Sequence, residues 1–285
     1  MIKWLFLLIL GFILYSLPTF CKRQTDGFSQ LRITTQLPLD LHYPQMQLCE
    51  EEEHELNDAL NQPYSYLGRG GQSFAFVSRD GKYVVKFFKT EFHPFGSLWW
   101  KTLPFFSKEK SAQLIMHARR KLERDFGSYT LSGSELKEQT ATLYMHLTPS
   151  SHLKRQLHIQ DKLGIFQQID LDHFSFAVQR HAELAFPYIH RCIKNSDLKR
   201  AHEAIHALIE LSTLRCEKGI HDEDAKIHKN YGFLDDKPIF IDLGRFVKDP
   251  SRSSPSVYQK DISALLLQLK QEFPLLFDNP CQAYD

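Results

Sequence analysis

The stretch from Gly219 to Gly244 constrains this chain more than any other part of its sequence. It reads GIHDEDAKIHKNYGFLDDKPIFIDLG, with an acidic loop near its start and a short apolar strand near its end. Asp224 lies in the loop, which follows a segment of helical periodicity, and Asp242 comes directly after the predicted strand Pro238–Ile241. An aspartate in a loop after a helix, followed by a second aspartate at the end of a strand, is the order of parts in a phosphoryl-transfer site.

A second informative stretch lies in the first half of the chain, where glycines precede a predicted β-hairpin. An alternating run follows the glycines, then a strong turn signal at Asp80-Gly81 and a second apolar strand, Lys82–Phe88. Glycine lets backbone N–H groups approach phosphate oxygens without a Cβ in the way, and a lysine on the facing strand supplies positive charge. The residues that would contact phosphate in this way are Gly68, Gly70, Gly71, Ser73 and Lys86.

Together the two stretches resemble the protein-kinase-like superfamily, whose catalytic loop runs G-x-x-H-R-D-x-K-x-x-N and is followed by D-F-G. Counted from Gly219, Asp224 matches the catalytic aspartate and Lys226 the lysine of the loop, while Asp242-Leu243-Gly244 matches D-F-G. Lys86 matches the lysine of the V-A-I-K strand.

The resemblance implies ATP and Mg²⁺ as cofactors and gives each matched residue a role. Asp224 would orient the acceptor hydroxyl and take its proton, with Lys226 beside it. Asp242 would bind Mg²⁺, and Asn230 would hold a second metal ion. The glycine segment and Lys86 would hold the ATP phosphates.

A helix predicted over Ala112–Leu136 would supply the acid that pairs with Lys86 in such a kinase. Glu123 lies beside Leu122 at the flank of the apolar stripe, and we expect it to be the partner. Asp125 lies nearer the stripe but has a shorter side chain, so it remains the alternative.

Several positions depart from the kinase pattern. Asp222-Glu223 stands where His-Arg is usual, Ser73 stands where a third glycine is usual, and Asn230 comes one residue late. There is no A-P-E motif, and only 41 residues follow Gly244. This reduced form resembles small atypical kinases that phosphorylate sugars or lipid-linked sugars. Two alternatives stay open: a pseudokinase that serves as a nucleotide-binding or partner-binding scaffold, and a membrane-tethered protein that is not a kinase.

The predicted fold class is α+β, in a two-lobed kinase-like arrangement. Short apolar or alternating runs between residues 143 and 179 predict further antiparallel strands. We expect a membrane or signal segment over 1–21, a tether and short acidic helix over 22–61, an antiparallel β N-lobe with one helix over 62–184, and a small helical C-lobe with the catalytic loop over 185–285.

The N-terminus predicts attachment to a membrane. The seventeen residues Trp4–Phe20 carry no charge and are flanked by Lys3 and by Lys22-Arg23. A cleaved signal peptide is the alternative, but the small-residue pattern of a cleavage site is missing. The sequence therefore favours a single-pass anchor, and ATP chemistry would place the catalytic domain in the cytosol.

Composition limits the remaining choices. The net charge of +1 gives no field that would favour nucleic acid as a partner. Five scattered cysteines form neither a zinc pattern nor a disulfide framework. The sequence does not identify the hydroxyl acceptor.

Overall fold

A computed structural model of the chain describes residues 11–12, 15–17, 19–34, 43–89 and 108–278. The chain divides into two compact units. The first unit comprises Met1–Ala118 and His146–Ala177, and the second comprises Arg119–Met145 and Val178–Asp285. The structure is mixed α+β, which confirms the predicted class at that level.

The elements are numbered along the described chain. The strands are β1 (Tyr64–Arg69), β2 (Ser73–Ser78), β3 (Tyr83–Phe88), β4 (Thr142–His146), β5 (Gln156–Gln160), β6 (Phe166–Asp170), β7 (Phe176–Arg180), β8 (Glu183–Leu184), β9 (Ile220–Asp222), β10 (Tyr231–Leu234), β11 (Lys237–Phe240) and β12 (Phe246–Lys248). The helices are α1 (Gln30–Ile33), α2 (Glu50–Leu60), α3 (Lys108–Ser134), α4 (Ala185–Lys194), α5 (Leu198–Glu217), α6 (Ile227–Asn230), α7 (Pro255–Glu272) and α8 (Leu275–Asp278). The boundaries between the units fall within α3, β4 and β7.

The first unit is built on a sheet whose complete strands run in the order β3-β2-β1-β5-β6. Neighbouring strands are antiparallel except for β1 and β5, which are parallel. Along β2 the buried and half-buried positions alternate, as expected for a strand with one face on a core. Phe74 and Phe76 on the buried face are fully enclosed, and the ring of Phe76 packs edge-on against Phe87 at 5.9 Å.

Residues 26–34, which the sequence analysis assigned to a tether, pack on the first unit. Phe28 is buried and its ring lies 5.3 Å from Phe74 and 5.2 Å from Phe76. Ile33 is fully buried, and Thr34 forms a β-bridge with Phe174. Two large apolar side chains spaced five residues apart therefore pack this segment on the first unit, although its sequence shows no period.

The second unit has a helical core with two small sheets. β10 and β11 form a hairpin through Asp235-Asp236, both at positive φ, and β8 pairs with β10. α5 begins at its N-cap Asp197 and ends before Gly219, whose φ is +64°. β9, which follows that glycine, pairs with β12. The core is formed by apolar residues of α4, α5, α7 and the hairpin, including Ile189, Leu208, Tyr231, Phe240 and Leu269.

Most of the predicted anchor, Trp4–Phe20, lies outside the described residues, as does the aromatic segment His93–Phe106. Where the structure does describe the chain, it contains no helix that is both long and apolar enough to span a membrane.

Candidate functional site

The glycine segment of the first unit forms a turn between β1 and β2. Gly70 N–H donates to Ser73 O at 2.9 Å, which closes the turn, and a bulge interrupts the β1–β2 register between Tyr66 and Gly68. Lys89 N–H donates to Gln72 O at 2.8 Å, so the chain after β3 also supports the turn.

No steric requirement within the first unit explains the glycines of this turn. A Cβ built on Gly68 or Gly71 would meet nothing within 4 Å, and one on Gly70 would meet only Ser73 at 3.9 Å. None of the three has a positive φ. Gly232 differs, because its Cβ would lie 2.6 Å from Glu183 O. The turn therefore has open space over its backbone, as close approach by a ligand would need.

Two lysines lie near this turn. Lys86 pairs with Ala75 across β2 and β3 and is only 9% exposed. Lys89 donates from Nζ to Gly70 O, and its ammonium lies 4.5 Å from the centre of the Phe74 ring. Sequence analysis missed Lys89, because an exposed lysine three residues after Lys86 carries no motif of its own.

The acidic loop of the second unit organises the polar groups around Asp224. Lys226 Nζ lies 2.7 Å from Asp224 Oδ1, and both side chains are partly exposed. Asn230 is 9% exposed, and its Nδ2 donates to Asp224 O at 2.5 Å. Asn230 is the last residue of the short helix α6, and its side chain reaches the Asp224 carbonyl despite standing one residue later than the kinase pattern.

Asp242 follows β11 in a turn that accepts hydrogen bonds from side chains of α3. Asp242 Oδ1 accepts the Gly244 N–H at 3.2 Å. The next carbonyl, Leu243 O, accepts hydrogen bonds from Ser128 at 2.8 Å and from Ser132 at 3.0 Å. Since both serines are buried, the turn is fixed by two donors within the described core.

The acidic loop and the Asp242 turn are connected through their backbones. Ile241 N–H donates to Asn230 O at 2.7 Å. β9 and β12 pair Asp222 with Phe246, so the two strands that flank these segments also share a ladder. The sequence showed the order of the two aspartates, and this pairing brings their segments together.

Asp222 is a buried carboxyl group close to the charges of the acidic loop and the Asp242 turn. It is 8% exposed, and its Oδ1 accepts the Asp224 N–H at 2.9 Å. Burial raises the pKa of the Asp222 carboxyl above its ordinary value, and the nearby charges of Asp242 and Asp224 add to the rise, whereas Arg215 opposes it. Three carboxyl groups therefore act on one another here, and a bound cation would relieve their repulsion.

Arg215 is a buried cation of the same region that sequence analysis did not identify. It is 2% exposed, its Nη1 donates to Ile220 O at 3.0 Å, and its guanidinium lies 5.8 Å from the centre of the Phe240 ring. It thus contacts β9 before Asp222 and β11 before Asp242. Within a helix, an arginine gives no signal that it points inward.

The two candidate acids on α3, Glu123 and Asp125, differ in exposure. Glu123 is partly exposed and forms an ion pair with Arg119 at 2.8 Å, one turn earlier. Asp125 is 9% exposed, and its charge, together with that of Asp242, contributes to the burial-driven rise in the pKa of Tyr129. Within the second unit, Asp125 is therefore the acid that lies in the environment of Asp242.

The donor set suits a hard cation bound partly by the protein. Among the described residues, no group of three or more His, Cys, Asp or Glu side chains is arranged to hold a metal ion. Mg²⁺ is commonly bound by one or two carboxylates together with substrate phosphates and water. The carboxylate of Asp242 and the amide oxygen of Asn230 fit that mode of binding, with Asp224 nearby.

Comparison with known proteins gives little similarity. No protein-family model matches the sequence, and no curated protein does. A solved complex of Rv3197 with erythromycin from Mycobacterium tuberculosis aligns with 79% of this chain and 65% of its own, at 11% identity and a TM-score of 0.35. This chain thus spans less than two thirds of that protein, and a TM-score this low does not establish a shared fold.

Proposed function

We propose that this protein is an atypical kinase that transfers the γ-phosphate of ATP to a hydroxyl acceptor. The observation that carries the proposal is the backbone link between the segments of Asp224 and Asp242, in which Ile241 N–H donates to Asn230 O at 2.7 Å. These are the two aspartates that the kinase resemblance assigns to the acceptor hydroxyl and to the metal ion. The hydrogen bond from Asn230 to Asp224 O adds the third polar group of the matched loop.

In this proposal the second unit carries the groups that act on the acceptor hydroxyl and hold Mg²⁺. Asp224 accepts the proton of the acceptor hydroxyl and orients its oxygen, and Lys226 holds the Asp224 carboxylate through their 2.7 Å ion pair. Asp242 and Asn230 would hold Mg²⁺, which neutralises charge that develops on the phosphate oxygens. The serine-held turn at Leu243 fixes the position of Asp242.

The first unit supplies the groups that bind the nucleotide phosphates. A Cβ on Gly68 or Gly71 would meet no atom within 4 Å, so the backbone there leaves room for phosphate oxygens, while Gly70 N–H and Ser73 O close the turn. Lys86 contributes positive charge from the adjacent strand. Glu123 and Asp125 both stay candidates for the acid that pairs with Lys86.

We further propose that the N-terminal segment anchors the protein in a membrane with the kinase in the cytosol, where ATP is present. The acceptor is then a sugar, a lipid-linked sugar or a protein that reaches the membrane surface. A cleaved signal peptide would place the chain outside the cytosol and would contradict this part of the proposal.

The test is transfer of radiolabelled γ-phosphate from ATP by the full-length protein to panels of sugars, lipid-linked sugars and proteins. Asp224→Asn should abolish transfer while ATP affinity stays within about threefold, because Asp224 acts on the acceptor and not on the nucleotide. Glu223→Gln changes an exposed neighbouring carboxylate and is the control. ATP binding without transfer across all panels would favour the nucleotide-binding scaffold, and transfer unaffected by Asp224→Asn would contradict the proposed mechanism.

A further inference from the structure

The turn between β5 and β6 presents apolar side chains to solvent. The exposed fractions are 51% for Leu163, 55% for Ile165 and 73% for Phe166. Leu67, which is 49% exposed, lies at the same end of the sheet, because β1 and β5 are parallel and Ser65 pairs with Gln160. We call these four residues, Leu67, Leu163, Ile165 and Phe166, the apolar tip.

Hydrogen bonds to Asp161 hold the turn that carries Leu163 and Ile165. Asp161 Oδ1 accepts the N–H groups of Leu163 at 2.9 Å and Ile165 at 3.0 Å, and its other oxygen accepts from Gln167 at 2.8 Å. Gly164 adopts a φ of +82°, which completes the tight reversal. The turn is therefore held by the Asp161 carboxylate, and the apolar side chains of the tip stay 49–73% exposed.

The residues next to the apolar tip contact the chain that follows the N-terminal apolar segment. Asp26 Oδ1 lies 3.0 Å from Nζ of Lys162, the residue before Leu163, and Asp26 Oδ2 accepts from Tyr66 at 3.1 Å. Asp26 stands six residues after Phe20, and the chain is helical over residues 19–24. Helical rise over four residues and extended chain over two place Asp26 within about 13 Å of Phe20.

Charge at this place suits a lipid surface. Lys22 and Arg23 are exposed immediately after the apolar segment. Arg69 donates to Asp26 O at 3.1 Å, and Lys162 pairs with the Asp26 carboxylate. Interfacial membrane contacts combine apolar side chains that enter the boundary between headgroups and acyl chains with cations that meet anionic headgroups.

We propose that the apolar tip enters the membrane interface and, with the N-terminal anchor, fixes the first unit against an anionic bilayer. The proposal rests on the proposed anchor but not on the kinase chemistry. A rigid second contact beside the anchor would restrict rotation of the first unit relative to the membrane. This arrangement would suit an enzyme whose acceptor is linked to a lipid.

The test places the photocrosslinker benzoylphenylalanine at single positions of the full-length protein. The protein is reconstituted in vesicles of phosphatidylcholine with about 20% phosphatidylserine, which gives an anionic surface. Phe166→benzoylphenylalanine alters a side chain that is 73% exposed, so folding should be unaffected. His173→benzoylphenylalanine is the control, since its side chain is 68% exposed beyond the other end of β6 in the same unit. Tritiated phospholipid reports crosslinking to lipid.

We expect lipid crosslinking from position 166 to exceed that from position 173 by at least about fivefold, because only an inserted side chain contacts acyl chains. Equal labelling at the two positions, or a crosslink from position 166 to a second protein chain, would overturn the proposal. Extraction of the protein into alkaline carbonate would contradict the anchor itself, and with it this inference, while leaving phosphate transfer untouched.

Discussion

Replacing Gly71 by alanine separates a structural role for the glycine turn from a role in ligand binding. A Cβ at this position meets no atom within 4 Å, and Gly71 does not have a positive φ. Alanine reduces the conformational freedom of the unfolded chain, so Gly71→Ala should raise the free energy of unfolding by about 0.4–1 kcal/mol. For a unit of this size, the corresponding rise in Tm is about 1–4 °C.

The same substitution should weaken ATP binding. A methyl group over the turn would hold a phosphate oxygen away from the backbone N–H, and a hydrogen bond to a charged group contributes about 1.5–3 kcal/mol. That loss corresponds to a Kd raised by about 10- to 150-fold. Calorimetric titration with Mg·ATP and thermal unfolding without ligand, both on full-length protein, measure the two effects.

Gly232→Ala is the matched control for this prediction. Its Cβ would lie 2.6 Å from Glu183 O and from Ile241 Cδ1, so the apo protein should lose stability. If Gly71→Ala binds Mg·ATP as tightly as the wild type, the glycine turn does not contact phosphate and the reasoning is refuted. If Gly71→Ala destabilises the apo protein as Gly232→Ala does, the open space over the turn is also refuted.

Two further predictions concern the second unit. Ser128→Ala should reduce the free energy of unfolding, measured in urea, by about 1–3 kcal/mol, because the buried Phe246 N–H loses its 2.7 Å acceptor. The control is Ser134→Ala, which removes an exposed hydrogen bond to Thr130 O within the same helix and should change the free energy of unfolding by less than about 0.5 kcal/mol. A comparable loss of unfolding free energy in both variants would show that the buried hydrogen bond of Ser128 stabilises the protein no more than the exposed one of Ser134. Because the folded pKa of Asp222 is raised above its ordinary 3.8, the wild type should lose stability as pH rises from 3.8 through the folded pKa, with a constant penalty above it. Asp222→Asn keeps an acceptor for the Asp224 N–H, so it should lack that part of the pH dependence and be more stable than the wild type at pH 7. If urea unfolding between about pH 3.5 and 7 shows that the free energy of unfolding changes with pH equally in both proteins, the raised pKa of Asp222 is contradicted.

Local signals in the sequence predicted much of the secondary structure. The segment of helical periodicity before the acidic loop is α5, since an N-cap aspartate and a left-handed glycine act within one turn of the chain. The hairpin of β2 and β3 follows its turn signal at Asp80-Gly81 in the same way. In each case the residues that determine the element lie inside it or directly beside it.

Contacts between distant segments could not be predicted in this way. Phe28 reads as part of an irregular tether, because its partners Phe74 and Phe76 lie more than forty residues later. Pairing of β9 with β12 depends on two strands of three residues each, which carry no period of their own.

The candidate site shows the same limit. Motif spacing identified Asp224 and Asp242, but Asn230 stood one residue late, and only the short helix α6 explains how its side chain returns to Asp224 O. Glu123 and Asp125 differ in burial, and helical periodicity alone did not show that difference.

The most direct test of the central claim is calorimetric titration of full-length protein with ATP, in the presence and absence of Mg²⁺. The wild type should bind ATP with Mg²⁺ and bind it at least about tenfold more weakly without, because Asp242 holds the metal together with the phosphates. Lys86→Ala should weaken binding under both conditions by about 1.5–3 kcal/mol, and Asp242→Asn should remove the difference between them. A folded wild-type protein that binds no ATP, or binds it equally with and without Mg²⁺, would contradict the account.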